Sequence, residues 1–297
     1  MSAEQPQAAS ASPMPEGVTD PNYHPLPGRL GNLTVTQQHA LEKIKTEIRE
    51  EDAFVEGRMD DAMFLRFLRA RKFDVPKAKA MLLAAEQWRK DFGVEDITKN
   101  FSFEEKVTVD KYYPQYYHKS DKDGRPIYVE RLGQLDIKKL YAVTNEDRLL
   151  KRLVYEYEKF ITDRLPACSK AAGHPVETSC TILDLQGVSL SNFYSVKDYV
   201  SKASSIGQDR YPECMGKFYI INAPYLFSTV WGFIKPWLDE VTVSKIAILS
   251  SSQYKAALLQ QIPIENLPKE FGGECSCPGG CSLSDAGPWN PSKETSA

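Results

Sequence analysis

The sequence predicts an α/β domain built on a largely parallel sheet, with a small all-helical lobe ahead of it. Three observations carry this. From residue 125 onward, short apolar strands alternate with helical segments, the pattern of strands joined by helical crossovers. Before Gly93 the apolar spacing is helical only. The 297 residues are 42% hydrophobic and 11% aromatic, enough to bury a sizeable core and unlike a chain too polar to fold.

In order along the chain, residues 1–34 are rich in Pro, Ala, Ser, Gly and Gln and read as a flexible leader. The helical lobe takes 35–93. Thr36 is a candidate cap for a helix with Leu41, Ile44 and Ile48 at spacings of three and four. A second helix is expected over 61–71. A third starts at Pro76, a good first-turn residue, and runs to 92, with Ala80, Leu83, Ala84 and Trp88 as its inner stripe.

The larger region takes 94–272. Asp121-Lys122-Asp123-Gly124 is a turn signal leading into a strand over 125–131. A long helix follows over 145–165, then a strand over 177–185, Gly187, and a helix over 194–205. Next come a strand over 217–221, the turn Asn222-Ala223-Pro224, and a helix over 226–238. A strand over 243–249 and a helix over 254–261 complete the pattern. The tail, 273–297, is rich in Gly, Ser, Pro and Cys and is expected to lack regular structure. No internal repeat occurs.

Several function classes are disfavoured. With 37 Lys and Arg against 40 Asp and Glu, the net charge of -3 argues against a bulk nucleic-acid binder. Residues 1–20 have no basic start and no apolar run, so no secretion signal is expected, and the six cysteines read as free thiols of a reducing cytoplasm. The uncharged run 218–234 falls just short of a spanning helix and is broken by Asn222-Ala223-Pro224. There is no phosphate loop, dinucleotide fingerprint or Gly-x-Ser-x-Gly elbow. The histidines His24, His39, His118 and His174 show no metal-ligand spacing. Cys275-x-Cys277 with Cys281 offers three thiols, a weak pattern that would need a fourth ligand to fold in. The expectation is therefore no catalytic residue, no metal and no cofactor.

Four features point to a lipid, each with a plainer structural reading. Residues 62–90 hold Arg66, Arg69, Arg71, Lys72, Lys77, Lys79, Arg89 and Lys90 against only Asp74 and Glu86, a charge that draws phosphate or an anionic membrane or simply forms a solvated helix face. Alternation puts Ser179, Thr181, Leu183 and Leu185 on one strand face, where the hydroxyls can donate to a phosphate or satisfy the backbone. Phe227, Val230, Trp231, Phe233, Ile234, Trp237 and Leu238 share one arc of a helix, either ordinary core or a lid that meets a bilayer through its tryptophans. Tyr112, Tyr113, Tyr116, Tyr117, Tyr128, Tyr155 and Tyr157, with Glu130 nearby, can hold a quaternary ammonium by cation–π attraction or pack as core.

The stretches LRFLRARKFDVPKAK, YPQYYHKSDKDGRPIYVE, RLPACSKAAGHPVETSCTILDLQG, GKFYIINAPYLFSTVW and VTVSKIAIL resemble the CRAL-TRIO lipid-binding family over about residues 25–273, and SLSDAGPW extends the match. The likeness is strongest to fungal members that transfer phosphatidylinositol and phosphatidylcholine. It implies an N-terminal helical lobe and a lipid-binding domain whose sheet floors a hydrophobic pocket behind a mobile helix. It implies no enzyme but a monomeric carrier, cytoplasmic and peripheral on Golgi membranes, supporting phosphoinositide metabolism and secretory traffic. Phosphatidylinositol or phosphatidylcholine is then a ligand rather than a cofactor. Carried over by position, phosphatidylinositol contacts fall on Arg71, Thr242, Lys245 and Glu213. Phosphatidylcholine contacts fall on Tyr117, Tyr128, Glu130, Tyr157, Ser179 and Thr181. The lid takes Phe227, Val230, Trp231, Phe233, Ile234 and Trp237. The segment 275–281 departs from any role the resemblance carries.

Overall fold

The computed structural model describes residues 12–188, 190–224, 227–238 and 240–294. Leu226, the expected first residue of the lid helix, and the opening of the leader lie outside the described residues. The chain divides into two compact units, Met1–Phe92 with Gly173–Pro175, and Gly93–Ala172 with Val176–Ala297.

The first unit is helical: α1 (Val35–Glu50), α2 (Asp61–Ala70) and α3 (Val75–Phe92). Thr34, not Thr36, caps α1: its side chain accepts from the Gln37 backbone N–H while Gln37 returns a bond to the Thr34 backbone, a reciprocal capping box. Ile44, Ile48, Phe64, Leu68 and Leu82 are fully buried between the helices.

The inner stripe of α3 is Val75, Ala78, Met81, Leu82 and Ala85 with Glu86, rather than Ala80, Leu83, Ala84 and Trp88. Met81-Leu82-Leu83-Ala84-Ala85 is apolar around most of the helix, so two stripes fit the spacing. Burial of Glu86 decides it, because Arg58 donates to that carboxylate at 2.6 Å, and a buried charge needs such a partner. The basic run is also less open than its sequence implies. Lys79 contacts Glu47 and Glu51 at 2.9 Å each, Lys77 contacts Asp74 at 2.7 Å, and Arg69 donates to the Gly28 carbonyl at 3.0 Å. Glu47 and Glu51, distant in sequence, neutralise Lys79.

The second unit opens with α4 (Val94–Asn100) and α5 (Lys106–Tyr112) and carries a five-stranded sheet. Its strands are β1 (Gln115–Ser120), β2 (Pro126–Glu130), β3 (Ser179–Asp184), β4 (Met215–Ile221) and β5 (Ile246–Ile248), in that spatial order. β1 and β2 are antiparallel and the other pairs parallel. The helical connections are α6 (Ile137–Val143), α7 (Glu146–Lys159), α8 (Leu165–Ala172), α9 (Leu190–Arg210), α10 (Phe227–Ile234), α11 (Glu240–Ser244) and α12 (Tyr254–Gln261). One π-helical turn, Phe160–Arg164, joins α7 to α8, so the expected single helix continues past its predicted end. The start of the expected strand over 243–249 is helical instead.

The two sheet faces differ. Ile127, Val129, Cys180, Ile182 and Ile221 are wholly buried and pack with Leu258 of α12, Ile262, Leu267 and Phe271. This face is closed core. Against the opposite face lie Phe227, Val230, Trp231 and Ile234 of α10, packed with Leu183, Leu185, Phe218 and Ile220.

The C-terminal stretch has structure where none was expected. It forms a short helix α13 (Cys281–Ser284), and Cys275, Cys277, Cys281 and Ala286 make a small buried cluster. The Lys119 N–H donates to the Ala286 carbonyl at 2.7 Å, and Pro268 bridges Cys275. Edge strand β1 gives the tail backbone partners, which a Gly- and Pro-rich sequence read alone does not reveal.

Candidate functional site

Cross-strand register assembles a row over the half-open face. Tyr117 opposes Tyr128, Tyr128 opposes Thr181, and Thr181 opposes Phe218. Two residues on, Glu130 opposes Leu183. Side chains two apart share a face, so Tyr117, Tyr128, Glu130, Ser179, Thr181 and Leu183 lie on one sheet face, the one on which α10 packs against Leu183. Tyr117, Tyr128, Glu130, Ser179 and Leu183 stay only half-buried, where the residues between them on the other face are sealed.

This face is polar around Glu130. Tyr113 and Tyr128 both donate to Glu130, the latter at 3.4 Å. Burial pushes the Glu130 carboxyl up, against the pull of these phenols. Burial also holds the Tyr117, Tyr128 and Tyr157 phenols far above the ordinary tyrosine range, so they are neutral donors. The rings of Tyr117 and Tyr128 lie 5.0 Å apart. Ser179 and Thr181 share a hydroxyl contact at 3.3 Å, and Ser179 also donates to the Cys214 carbonyl at 3.4 Å. Tyr157 of α7 stacks on Tyr211 at 4.6 Å, nearly parallel, and lies within electrostatic reach of Glu130. Tyr113 also borders a small hollow with Leu132, Leu135, Leu140, Tyr199 and Val200.

Glu213, Thr242 and Lys245 gather separately. Lys245 contacts the Glu213 carboxylate at 3.6 Å, and its N–H donates to the Thr242 carbonyl at 3.1 Å. Glu213 has a positive φ of 60°. It belongs to the loop that also holds Tyr211 and Cys214, so one short loop touches both residue sets. Arg71 stands on the first unit, at the C-cap of α2, its guanidinium donating to the Ala70 carbonyl at 3.1 Å.

The apolar stripe of α10 splits in two. Phe227, Val230, Trp231 and Ile234 meet the sheet side. Phe233 is 53% exposed, and Trp237, in a 3-10 turn (Lys235–Trp237) after the helix, is 38% exposed. The expected arc assumed one continuous helix to Leu238, and the change of winding at Lys235 rotates Trp237 away from it. Val241 and Ile248, on the segments that follow, are exposed as well.

Sequence reading missed three supporting residues. Arg164, in the π-helical turn, places its guanidinium 4.0 Å from the Tyr117 ring centre. Tyr211 supports Tyr157, and Trp289 meets Tyr117 edge-on at 6.2 Å. None has a short-range motif, since each is joined to its partner only by the fold. Among the described residues no helix is long and apolar enough to cross a membrane.

A family model described as the CRAL/TRIO domain matches residues 110–273, and one described as the CRAL/TRIO N-terminal domain matches residues 38–84. The chain is 55% identical to the Sec14 cytosolic factor of Schizosaccharomyces pombe, over 93% of this chain and 95% of that protein. It is 44% identical to a phosphatidylinositol/phosphatidylcholine transfer protein of Arabidopsis thaliana over 88% of this chain, which spans 44% of that longer protein. The crystal structure of Sfh5 shares the fold, with a TM-score of 0.63 at 18% identity, covering 80% of this chain and 87% of that one.

Proposed function

Because the chain belongs to the CRAL/TRIO family, we propose that it is a phosphatidylinositol/phosphatidylcholine transfer protein that encloses one phospholipid at a time. The observation that carries this is one sheet face with neutral phenols, two hydroxyls and one half-buried carboxyl, on which an apolar helix also packs. A diacyl lipid needs that combination of a polar end and a greasy wall.

In this reading Tyr117, Tyr128, Glu130, Tyr157, Ser179 and Thr181 receive the choline headgroup. The aromatic faces attract the quaternary ammonium, and the hydroxyls donate to the phosphate. Arg71, Thr242, Lys245 and Glu213 receive the inositol headgroup, with Arg71 and Lys245 supplying positive charge for an anionic lipid. The acyl chains lie against α10. Each buried CH₂ contributes about 0.8 kcal/mol, but a bilayer shelters chains as well as a pocket does, so exchange is nearly balanced and its barrier is extraction. A helix that opens toward the bilayer lowers that barrier by sparing the chains full hydration. The exposed Phe233 and Trp237 suit contact with the interface, where tryptophan is favoured.

The protein is then a carrier and not an enzyme, with no chemical step assigned to any residue. It works as a cytoplasmic monomer that visits Golgi membranes peripherally, supplying phosphoinositide metabolism and secretory traffic, with no role in nucleic-acid binding. The test is transfer between vesicles: purified protein should move labelled phosphatidylinositol and labelled phosphatidylcholine from donor to acceptor vesicles. Transfer of neither would refute the proposal.

A further inference from the structure

The tail's cysteines have no part in the lipid reading, yet they converge on one histidine. We propose that Cys275, Cys277, Cys281 and His118 form a closed zinc site that staples the C-terminal segment to β1. The site stands independently of the lipid-transfer reading.

The four donor atoms lie within 4.8 Å of one another, and all four residues are buried. Tetrahedral zinc, with bonds of about 2.3 Å to sulfur and about 2.0 Å to nitrogen, sets neighbouring donors about 3.5–3.8 Å apart. The Cys275 and Cys277 sulfurs are 3.8 Å apart, and His118 Nε2 is 3.3 Å from the Cys275 sulfur. A disulfide needs about 2.05 Å. These cysteines are free thiols.

A cluster of small buried thiols alone would be ordinary core. His118 is what makes this one different, because its Nε2 lies 3.3 Å from the Cys275 sulfur. The Ser284 hydroxyl donates to the Cys281 carbonyl at 2.9 Å and accepts from the Ala286 N–H at 3.3 Å. With its proton on that carbonyl, the hydroxyl can accept from His118 Nδ1–H at 3.2 Å. That tautomer leaves the Nε2 lone pair for a metal held among the thiols. An outer hydroxyl holding the far ring nitrogen is the usual support of a ligating histidine. Between the second and third cysteines the chain reverses through Gly279 and Gly280, at φ of 77° and 98°, conformations that glycine alone adopts readily.

Three thiolates and one imidazole, all from the protein, are a structural zinc set with no open position for substrate. Binding releases the thiol protons to solvent. The mechanical consequence falls on β1. His118 follows Tyr117 in the same strand, and the tail's Trp289 packs against Tyr117, so the metal would fix the strand that carries a proposed headgroup contact.

Elemental analysis of the full chain, made without a histidine tag, should find about one zinc ion per chain that survives dialysis and leaves when a mercurial modifies the thiols. His118→Ala and Cys277→Ser should lower the content at least about tenfold, while Cys168→Ala, at a buried cysteine outside the cluster, should not. If those variants fail to fold, cobalt added to metal-stripped wild type decides: the thiolate charge-transfer band and strong visible bands of a tetrahedral ion are expected. Folded protein that holds no zinc and gives no such bands would overturn the site, as would a disulfide among the three cysteines. Vesicle transfer measured in parallel reports on the lipid reading alone.

Discussion

Glu130 has two opposed influences: burial raises its carboxyl and the Tyr113 and Tyr128 hydroxyls lower it, with burial the stronger. Its folded value lies above the unfolded one of about 4.3. Below that pH the group is protonated in both states and costs nothing; as pH rises through the folded value, the protein loses stability by keeping a charge buried. Glu130→Gln should therefore gain in stability over wild type between acid and neutral pH, as measured by urea denaturation at several pH values. The same variant should weaken phosphatidylcholine transfer by roughly tenfold, the equivalent of about 1.4 kcal/mol of attraction to the ammonium. A variant that kept full choline-lipid transfer would remove Glu130 from the headgroup set. Arg71→Ala with Lys245→Ala should abolish phosphatidylinositol transfer and spare phosphatidylcholine transfer in the vesicle assay. Equal loss of both would contradict separate headgroup contacts. At this scale the sequence was informative where side chains alternate on one strand: Ser179, Thr181, Tyr128 and Glu130 do share a face. It was uninformative for Arg164, Tyr211 and His118, whose partners lie far away in the chain and obey no spacing rule.

Among the elements, α10 carries the sharpest expectation. Phe233 is exposed, so Phe233→Asp should cost the fold little, while a charge carried into the bilayer hydrocarbon is costly. Thermal unfolding close to wild type, with vesicle-dependent exchange reduced at least about tenfold, is the expected pair of results; normal exchange would show that this helix does not meet the bilayer. A second expectation concerns α5 and α7. Arg148 donates to both oxygens of Glu105, with one contact at 2.7 Å, and draws its carboxyl down to about 2. The folded value lies below the unfolded one, so this pair stabilises fully above about pH 4.3 and its contribution is lost as pH falls toward about 2. Arg148→Ala should flatten that part of the acid-unfolding curve. The elements themselves were legible where apolar runs were bounded by turn residues, as in β3 and β4. β1 was missed because its inward positions are Tyr and His rather than aliphatic residues, and the α3 stripe was misplaced because apolar residues surround that helix. The α10 arc was drawn too long for a third reason: Trp237 lies past a change of winding, which a fixed angular period cannot register.

At the scale of the whole molecule, the second unit uses its sheet as a partition. One face is closed core beneath α12, and the other is left half-open opposite α10. The family match spans both units, and the α/β class with a helical lobe before it follows from the alternation of strands and crossovers. What the alternation cannot give is the wrapping of the tail around β1, because that depends on backbone groups at a sheet edge. On the proposed function, each molecule takes either of two phospholipids, one at a time. Native mass spectrometry of the protein after incubation with vesicles containing both lipids tests this. Two bound species are expected, each chain carrying one phosphatidylinositol or one phosphatidylcholine, and an excess of one lipid should displace the other. Chains carrying both lipids at once, or a neutral ligand in place of either, would contradict it.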